Sequence, residues 1–201
     1  MDSRPAWRDF AIAQFQQSIE TPTQFFDANA DRLARACFSM AQRFQRGGRL
    51  LVFGNGSSAT DAQHVSVEFI HPVIVGKRAL PALALTNDIA SLTGLMQRAG
   101  FAETFAQQVR VLGTANDMAL GLTLDGDDEN VVRGLCVAQA MGMLTIGLCG
   151  MGGGAMAKSQ AIDFCFAVPS DNPYVVQEVQ ETIYHILWET VHVFFEHKGL
   201  L

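Results

Sequence analysis

The chain has 201 residues, a length typical of one domain with a sizeable hydrophobic core. Hydrophobic residues make up 49% of it and charged residues 17%, which is ordinary for a soluble α/β protein. The net charge is −6 and no basic stretch is concentrated enough to bind phosphates, so we predict no direct contact with nucleic acid.

The composition also predicts where the protein is found. No apolar run reaches the ~20 residues that cross a bilayer, so we predict no membrane contact. The N-terminus shows no secretory signal because charged residues interrupt it: Asp2, Arg4, Arg8 and Asp9. Four scattered cysteines without a CxxC pair are typical of reduced thiols. We therefore expect a cytoplasmic protein.

The N-terminal stretch, residues 6–46, has the apolar spacing of helices. Pro22 predicts a break into two helices, and Gly47-Gly48 predicts the end of the second. The first helix carries phenylalanine on more than one side, which predicts packing against another subunit. The alternative is a helix that packs only on its own domain.

After residue 49, short apolar runs alternate with helical patterns. We predict strands over 50–53, 83–85, 118–122, 144–148 and 164–168, and helices through 64–70, 89–96, 101–112, 129–141, 155–158 and 173–197. This alternation indicates a parallel sheet covered on both faces, whose ligands bind at the carboxyl ends of the strands. The loops 54–58, 123–130 and 169–173 should therefore gather on one edge.

The turn Gly54-Asn55-Gly56-Ser57-Ser58 links the first strand to a helix. Unpaired N–H groups and the helix dipole at such a helix start favour an anionic or polyhydroxylated ligand. His64 and Glu68 follow four residues apart, so they share one helix face and can serve the same ligand or metal.

Several motifs in order carry a family resemblance: 54–59 and 61–64, then 81–86, 147–150, 168–171, 177–179 and 185–187. Together they resemble the SIS (sugar isomerase) domain, most closely its phosphoheptose isomerase branch, a relative of the DnaA initiator-associating protein. The resemblance implies a three-layer αβα fold with a five-stranded parallel sheet. It implies one SIS domain over 1–201, with N-terminal helices over 1–46 and an α/β core over 47–201. It also implies a homotetramer with sites between subunits.

The same resemblance implies a zinc ion held by four residues: His64, Glu68, Gln177 and His185. The reaction would be an aldose–ketose isomerisation of the sedoheptulose 7-phosphate type, with Glu68 as the base and His185 as its partner. The implied substrate-binding residues are Asn55, Ser57, Ser58, Asp61, Thr123, Asp125, Asp171 and Gln177.

Two alternatives to this ligand set stay open. Gln177 and His185 are eight residues apart, about 12 Å along a helix, so Glu181 can replace Gln177 as a ligand. Alternatively, His64 and His185 are hydrogen-bonded interface residues without a metal. We predict that two further histidines, His71 and His192, are structural or surface residues.

The second loop departs from the family. Where the family has a Ser-Thr-Ser-Gly-Asn-Ser run that holds phosphate, this chain has Thr123-Leu124-Asp125-Gly126-Asp127-Asp128 and then Glu129. Each carboxylate near a phosphate costs on the order of 1 kcal/mol even in water. Other family residues that orient the substrate are also replaced, at Pro72, Gln97-Arg98, Val175 and Gln180.

Three hypotheses follow. The first is a metal-dependent isomerase of the phosphoheptose type with an altered sugar ligand. The second is a non-catalytic scaffold or sensor that resembles the DnaA initiator-associating protein. The third is an ordinary phosphoheptose isomerase that holds phosphate through Asn55, Ser57, Ser58 and Thr123 alone.

Overall fold

The computed structural model describes residues 4–197 and 199. Its elements, in chain order, are α1 (Arg4–Gln45), β1 (Leu50–Gly54), α2 (Ser57–Ile70), β2 (Ala82–Ala84), α3 (Ile89–Ala99), a 3₁₀ turn (Phe101–Glu103), α4 (Thr104–Leu112), β3 (Met118–Leu122), α5 (Glu129–Ala140), β4 (Leu144–Cys149), α6 (Gly154–Lys158), β5 (Phe164–Ala167) and α7 (Pro173–Glu196). The predicted alternation of strands and helices is confirmed. The predicted helix over 101–112 begins instead as the 3₁₀ turn.

The five strands form one parallel sheet in the order β2-β1-β3-β4-β5. In its centre Leu50 lies opposite both Ala82 and Met118. One hydrophobic cluster packs α1, α2 and α7 on one face, and a second packs α4 and α5 on the other. Helices on both faces bury β1, β3 and β4 completely. The three-layer αβα prediction is confirmed.

The predicted helix break at Pro22 is wrong, because α1 runs through this residue without interruption. Proline removes one backbone hydrogen bond from a helix and crowds the preceding turn. Contacts on both sides of Pro22 hold the helix together. Before it, Gln14 and Gln17 accept hydrogen bonds from the Asn172 amide at 3.0 and 3.1 Å. After it, Phe25 is buried in the core.

The carboxyl ends of the strands bring the expected loops to one edge. Two glycines permit the close approach. A Cβ at Gly54 would lie 2.7 Å from the Ser58 Cβ and 2.8 Å from the Leu122 carbonyl. Gly126 has φ +86°, and a Cβ there would overlap the Gly153 carbonyl. Both positions fix how tightly the loops after β1, β3 and β4 pack.

Within residues 4–197 and 199, none of the helices is long and apolar enough to cross a membrane.

Candidate functional site

Two helices that leave the carboxyl edge of the sheet lie side by side and form a polar seam. On α2, Asp61, His64 and Glu68 are three and four residues apart, so they share one helix face. On α7 the same spacing aligns the facing residues, which are Gln177, Glu181, Tyr184 and His185. We call this the α2–α7 seam.

His64 is the centre of the seam. Its Nε2 lies 3.3 Å from Glu68 Oε1. Its Nδ1 lies 2.9 Å from the Tyr184 hydroxyl and 3.7 Å from Glu181 Oε1. The ring of His185 stands edge-on to that of His64, with centroids 5.3 Å apart. Both imidazole nitrogens of His64 therefore have partners, on opposite sides of the ring.

The seam fits a transition-metal ion. Ligand atoms of His64, Glu68 and His185 lie within 4.8 Å of one another. Two imidazoles and one carboxylate form a donor set of catalytic zinc sites. Tetrahedral ligands at ~2.1 Å from such an ion are about 3.4 Å apart, close to the His64–Glu68 separation. The structure thus brings together three of the four residues predicted to bind zinc.

The fourth predicted ligand, Gln177, is near the start of α7, and its amide is turned to α2. Its Nε2 donates to both carboxylate oxygens of Asp61 at 3.0 Å. Burial raises the pKa of Asp61 above its ordinary value, and the hydrogen bond from Gln177 partly opposes this. Glu181, the alternative ligand, lies on the Nδ1 side of His64, whereas Glu68 lies on the Nε2 side. This geometry does not favour Glu181 as a ligand of the same ion.

The acidic loop after β3 makes its hydrogen bonds with itself and with its neighbours. Asp125 Oδ1 accepts from the Thr123 hydroxyl at 3.2 Å and from the Asp127 backbone N–H at 2.9 Å. The Thr123 hydroxyl also accepts from the Gly126 N–H at 3.3 Å. Asp127 Oδ1 accepts from the Ala155 N–H at 2.7 Å, at the start of α6. The loop's carboxylates thus engage the Thr123 hydroxyl and two backbone N–H groups.

The side chain of Asn55, in the turn after β1, is also held by hydrogen bonds within the protein. Its amide nitrogen donates to Asp128 and Asn130 at 2.8 Å each, and its amide oxygen accepts from Asn130 at 3.0 Å. Asn55 is therefore joined to the acidic loop at Asp128 and to α5 at Asn130, whereas Thr123 and Asp125 contact each other. Each of them is engaged with the protein rather than left free.

The remaining predicted substrate residues are more dispersed. Ser57 is exposed at the first position of α2, whereas Ser58 is buried against Gly54. Asp171 is exposed in the loop before α7. Ser58 is therefore enclosed by protein, while Ser57 and Asp171 face solvent.

A cavity of about 290 Å³ opens beside the turn after β1. Its polar lining includes Asn55, Gln63 and Thr86, and its other wall is apolar, with Leu92 and Phe101. The buried Thr86 hydroxyl makes no hydrogen bond with any part of the chain that the structure describes. A larger groove of about 700 Å³ lies between β2, α3 and α4, and none of its lining residues belongs to the seam.

Three residues that contact the predicted site residues were not themselves predicted to belong to the site, and one of them, Gln180, was noted only as a departure from the family. Tyr184 contacts His64, Asn130 pairs with Asn55, and the buried Gln180 donates to the Thr123 carbonyl at 2.8 Å. Helical spacing from Gln177 could have indicated Gln180 and Tyr184, which lie three and seven residues further on. Asn130 gives no comparable signal, because its partner is 75 residues away.

His192 is a buried structural residue and His71 a surface residue, which fits the prediction for this pair. His192 is buried, with its ring nitrogens 2.8 Å from the carbonyls of Trp188 and Arg78. His71 is exposed at the end of α2. All four cysteines are free thiols.

Comparisons with known proteins agree with this fold. The SIS domain family model matches residues 14–150. The phosphoheptose isomerase of Roseiflexus sp. is 35% identical over 190 residues, which cover 94% of both chains. The structure of phosphoheptose isomerase from Neisseria gonorrhoeae superposes with a TM-score of 0.84 at 29% identity, over 92% of this chain and 98% of that one. For the Francisella tularensis phosphoheptose isomerase the TM-score is 0.82 at 34% identity, with 91% and 96% covered. The chain therefore belongs to the SIS domain family, in its phosphoheptose isomerase branch.

Proposed function

We propose that this protein is a metal-dependent aldose–ketose isomerase that acts on a sugar of the heptose type. The observation that carries the proposal is the convergence of His64, Glu68 and His185 from two helices on one point of the seam. The kinship with phosphoheptose isomerases supports an isomerase over the alternative of a non-catalytic scaffold.

Glu68 and His185 are suited to move protons on a bound sugar. A carboxylate can remove the proton from the carbon next to a carbonyl, which leaves an enediol, and an acid returns the proton to the neighbouring carbon. Glu68 is the proposed base, since its side chain is 16% exposed and its nearest partner is an imidazole. His185, exposed on α7, is the proposed partner that protonates the sugar oxygen.

The ion that we propose for the seam is zinc, held by His64, Glu68 and His185 with Gln177 as a fourth ligand. When bound, such an ion polarises the sugar carbonyl and orders the ligands. Gln177 would have to turn its amide oxygen toward the ion while its nitrogen stays on Asp61. The mixed nitrogen and oxygen donor set supports zinc over magnesium or calcium, which prefer oxygen ligands alone.

We propose that sugar binding depends less on a phosphate group in this protein than is usual for the family. Asp125 and Asp128 already occupy Thr123 and Asn55, two of the residues expected to bind substrate. A phosphate would have to displace these hydrogen bonds and would then lie close to the two carboxylates. The remaining contacts would come from Ser57, Asp171 and the polar wall of the cavity at Thr86.

We propose that one SIS domain spans residues 1–201 and that the cytoplasmic protein assembles as a homotetramer with sites between subunits. The N-terminal half of α1 supports the assembly, because it exposes Trp7, Phe10, Phe15 and Ile19 by 52–70%. An apolar patch on a helix of this kind marks a protein interface. A Phe10→Glu, Phe15→Glu double variant should have a smaller mass than the wild type in sedimentation, with unchanged helix content. An unchanged mass would contradict this interface.

The proposed activity is tested with purified protein supplied with Zn²⁺. Sedoheptulose 7-phosphate and unphosphorylated sedoheptulose are offered separately, and the aldose product is measured. We expect isomerisation of both sugars. The kcat/KM for the phosphorylated sugar should exceed that for the unphosphorylated one by less than in a relative that has the family's phosphate loop. Turnover of neither sugar, with or without Zn²⁺, would contradict the proposed function, and turnover of the phosphorylated sugar alone would contradict the proposed role of the acidic loop.

A further inference from the structure

Tyr184 combines a buried ring with a hydroxyl that reaches the seam. The residue is only 2% exposed and belongs to the hydrophobic cluster beneath α1, α2 and α7. A buried tyrosine hydroxyl needs a hydrogen-bond partner, and here that partner is the Nδ1 of His64 at 2.9 Å. Packing of the ring therefore fixes where the hydroxyl stands relative to the histidine.

We propose that Tyr184 is a positioning residue that keeps His64 turned so that its Nε2 faces Glu68 and His185. For metal binding the inference rests on the proposed function, but the orientation of the imidazole does not. His64 Nε2 lies on the Glu68 side at 3.3 Å, while the Tyr184 hydroxyl engages the opposite nitrogen. Without the hydroxyl, the polar partner left for Nδ1 among the described residues is Glu181, at the longer distance of 3.7 Å. The ring could then turn over more easily and place a carbon where Nδ1 now lies.

A hydroxyl suits this position because it can both donate and accept. A neutral imidazole carries one N–H. In metal-free protein the Nε2–H of His64 can point to Glu68 while Nδ1 accepts from the Tyr184 O–H. If Nε2 binds an ion, the proton must sit on Nδ1, and the same hydroxyl then accepts it. The Glu181 carboxylate, on the same side, also favours an N–H at Nδ1.

The chain offers a matched control, because its second tyrosine, Tyr174, lies on the same helix. Tyr174 is 76% exposed and lies three turns of helix before His185. Tyr→Phe at either position removes one oxygen atom and retains the ring. Only the change at Tyr184 removes a partner of His64.

The experiment compares wild type, Tyr184→Phe and Tyr174→Phe. In metal-free protein, ¹⁵N NMR of the imidazole nitrogens gives the tautomer of His64, whose signals are assigned with a His64→Gln variant. We expect the Nε2–H form in wild type and Tyr174→Phe, and a mixture of both forms in Tyr184→Phe. Zn²⁺ affinity, measured by competition with a chelator, should fall about 10- to 100-fold in Tyr184→Phe alone. An unchanged tautomer together with a Zn²⁺ affinity within twofold of wild type would overturn the proposal.

A second variant guards against loss of the fold. If Tyr184→Phe unfolds at a much lower temperature than Tyr174→Phe, Glu181→Gln replaces it, because Glu181 is exposed. Glu181→Gln should weaken Zn²⁺ binding by less than about 10-fold relative to wild type and shift the metal-free tautomer further toward Nε2–H. The opposite shift would overturn the proposal. If wild type neither binds Zn²⁺ nor isomerises a sugar, the proposed function is wrong, whereas the tautomer comparison still decides the role of Tyr184.

Discussion

The α2–α7 seam and the acidic loop after β3 both place carboxylates at the carboxyl edge of the same sheet, yet their surroundings differ. In the seam, Glu68 faces an imidazole nitrogen at 3.3 Å and remains partly exposed. In the loop, Asp125 accepts from a hydroxyl and a backbone N–H within its own turn. A carboxylate with such donors stabilises the loop, whereas one that faces a second titratable group remains available for a ligand or a proton.

The two parts of the site therefore differ in what they leave free for a ligand. The seam carries the residue types for which we propose proton transfer and metal binding. The loop carries acids where the family resemblance predicts hydroxyls, and these acids accept hydrogen bonds from the loop and its neighbours. A change of ligand explains this combination better than a general loss of function, which would relax the seam as well.

The largest effect should come from the seam. In Glu68→Gln the side chain keeps its size but can no longer take a proton, so kcat should fall about 10²- to 10⁴-fold. Glu189→Gln, an exposed change on α7, serves as the control and should leave kcat unchanged. Retention of more than a tenth of the wild-type kcat by Glu68→Gln would show that another group is the base.

A smaller effect is expected from changes in the acidic loop, and here the change should be a gain: a stronger preference for the phosphorylated sugar. The double variant Asp125→Ser, Asp128→Ser removes two negative charges and releases Thr123 and Asn55. Its preference for the phosphorylated sugar, measured as the ratio of the two kcat/KM values, should rise about 10- to 100-fold, since each removed charge pair contributes about 1 kcal/mol or more.

The control for that variant removes the same charge elsewhere. Asp27 and Asp31 are exposed on α1, so Asp27→Ser, Asp31→Ser should leave the ratio unchanged. An equal rise in the control would mean that net charge, not the loop, determines the preference. No rise in either variant would show that phosphate does not approach the loop.

A carboxylate at the opposite edge of the sheet sharpens the comparison, because its role is structural. Burial would raise the pKa of Asp117, but hydrogen bonds from Arg49 and Thr114 outweigh it and lower the pKa below the ordinary value. The ionised carboxylate is therefore favoured in the folded protein. Its contribution to stability is complete above the unfolded-state pKa and is lost as the pH falls through the lower folded-state value.

Asp117→Asn should accordingly reduce the free energy of unfolding by about 1 kcal/mol at pH 7 and by less below pH 4. Urea unfolding at several pH values measures both, and Asp27→Asn on the exposed face of α1 is the control. A deficit that persisted unchanged in acid would contradict the sign of this pKa shift.

Much of the fold could be predicted from the sequence because the signals were local. The apolar runs at β1, β3 and β4 and the turn Gly54–Ser58 indicated a parallel sheet and its ligand edge. The predicted helix break at Pro22 was wrong because of residues outside its own segment. Contacts with Asn172 and the core around Phe25 hold α1 continuous. A local pattern indicates that proline destabilises a helix, but it does not show the tertiary contacts that offset this destabilisation.

The candidate site was predictable to a similar extent. The spacing of His64 and Glu68 placed them on one helix face, and the family motifs supplied His185. The hydrogen bonds that fill the loop, from Asn55 to Asp128 and Asn130, join residues 73 and 75 positions apart. Whether a side chain is free or engaged depends on such distant partners, so the sequence showed the acids without showing what they bind.

The most direct test of the account is the entry of solvent deuterium into the sugar during reaction in D₂O. If Glu68 removes a proton from carbon, deuterium should appear at the carbon that is reprotonated, with either sedoheptulose 7-phosphate or sedoheptulose as substrate. Mass spectrometry of the sugar pool detects this even when net turnover is slow. We expect deuterium uptake with the zinc-loaded wild type, and uptake that is slower by about 10²-fold or more with Glu68→Gln. No uptake with either sugar, or equal uptake by the two proteins, would contradict the account.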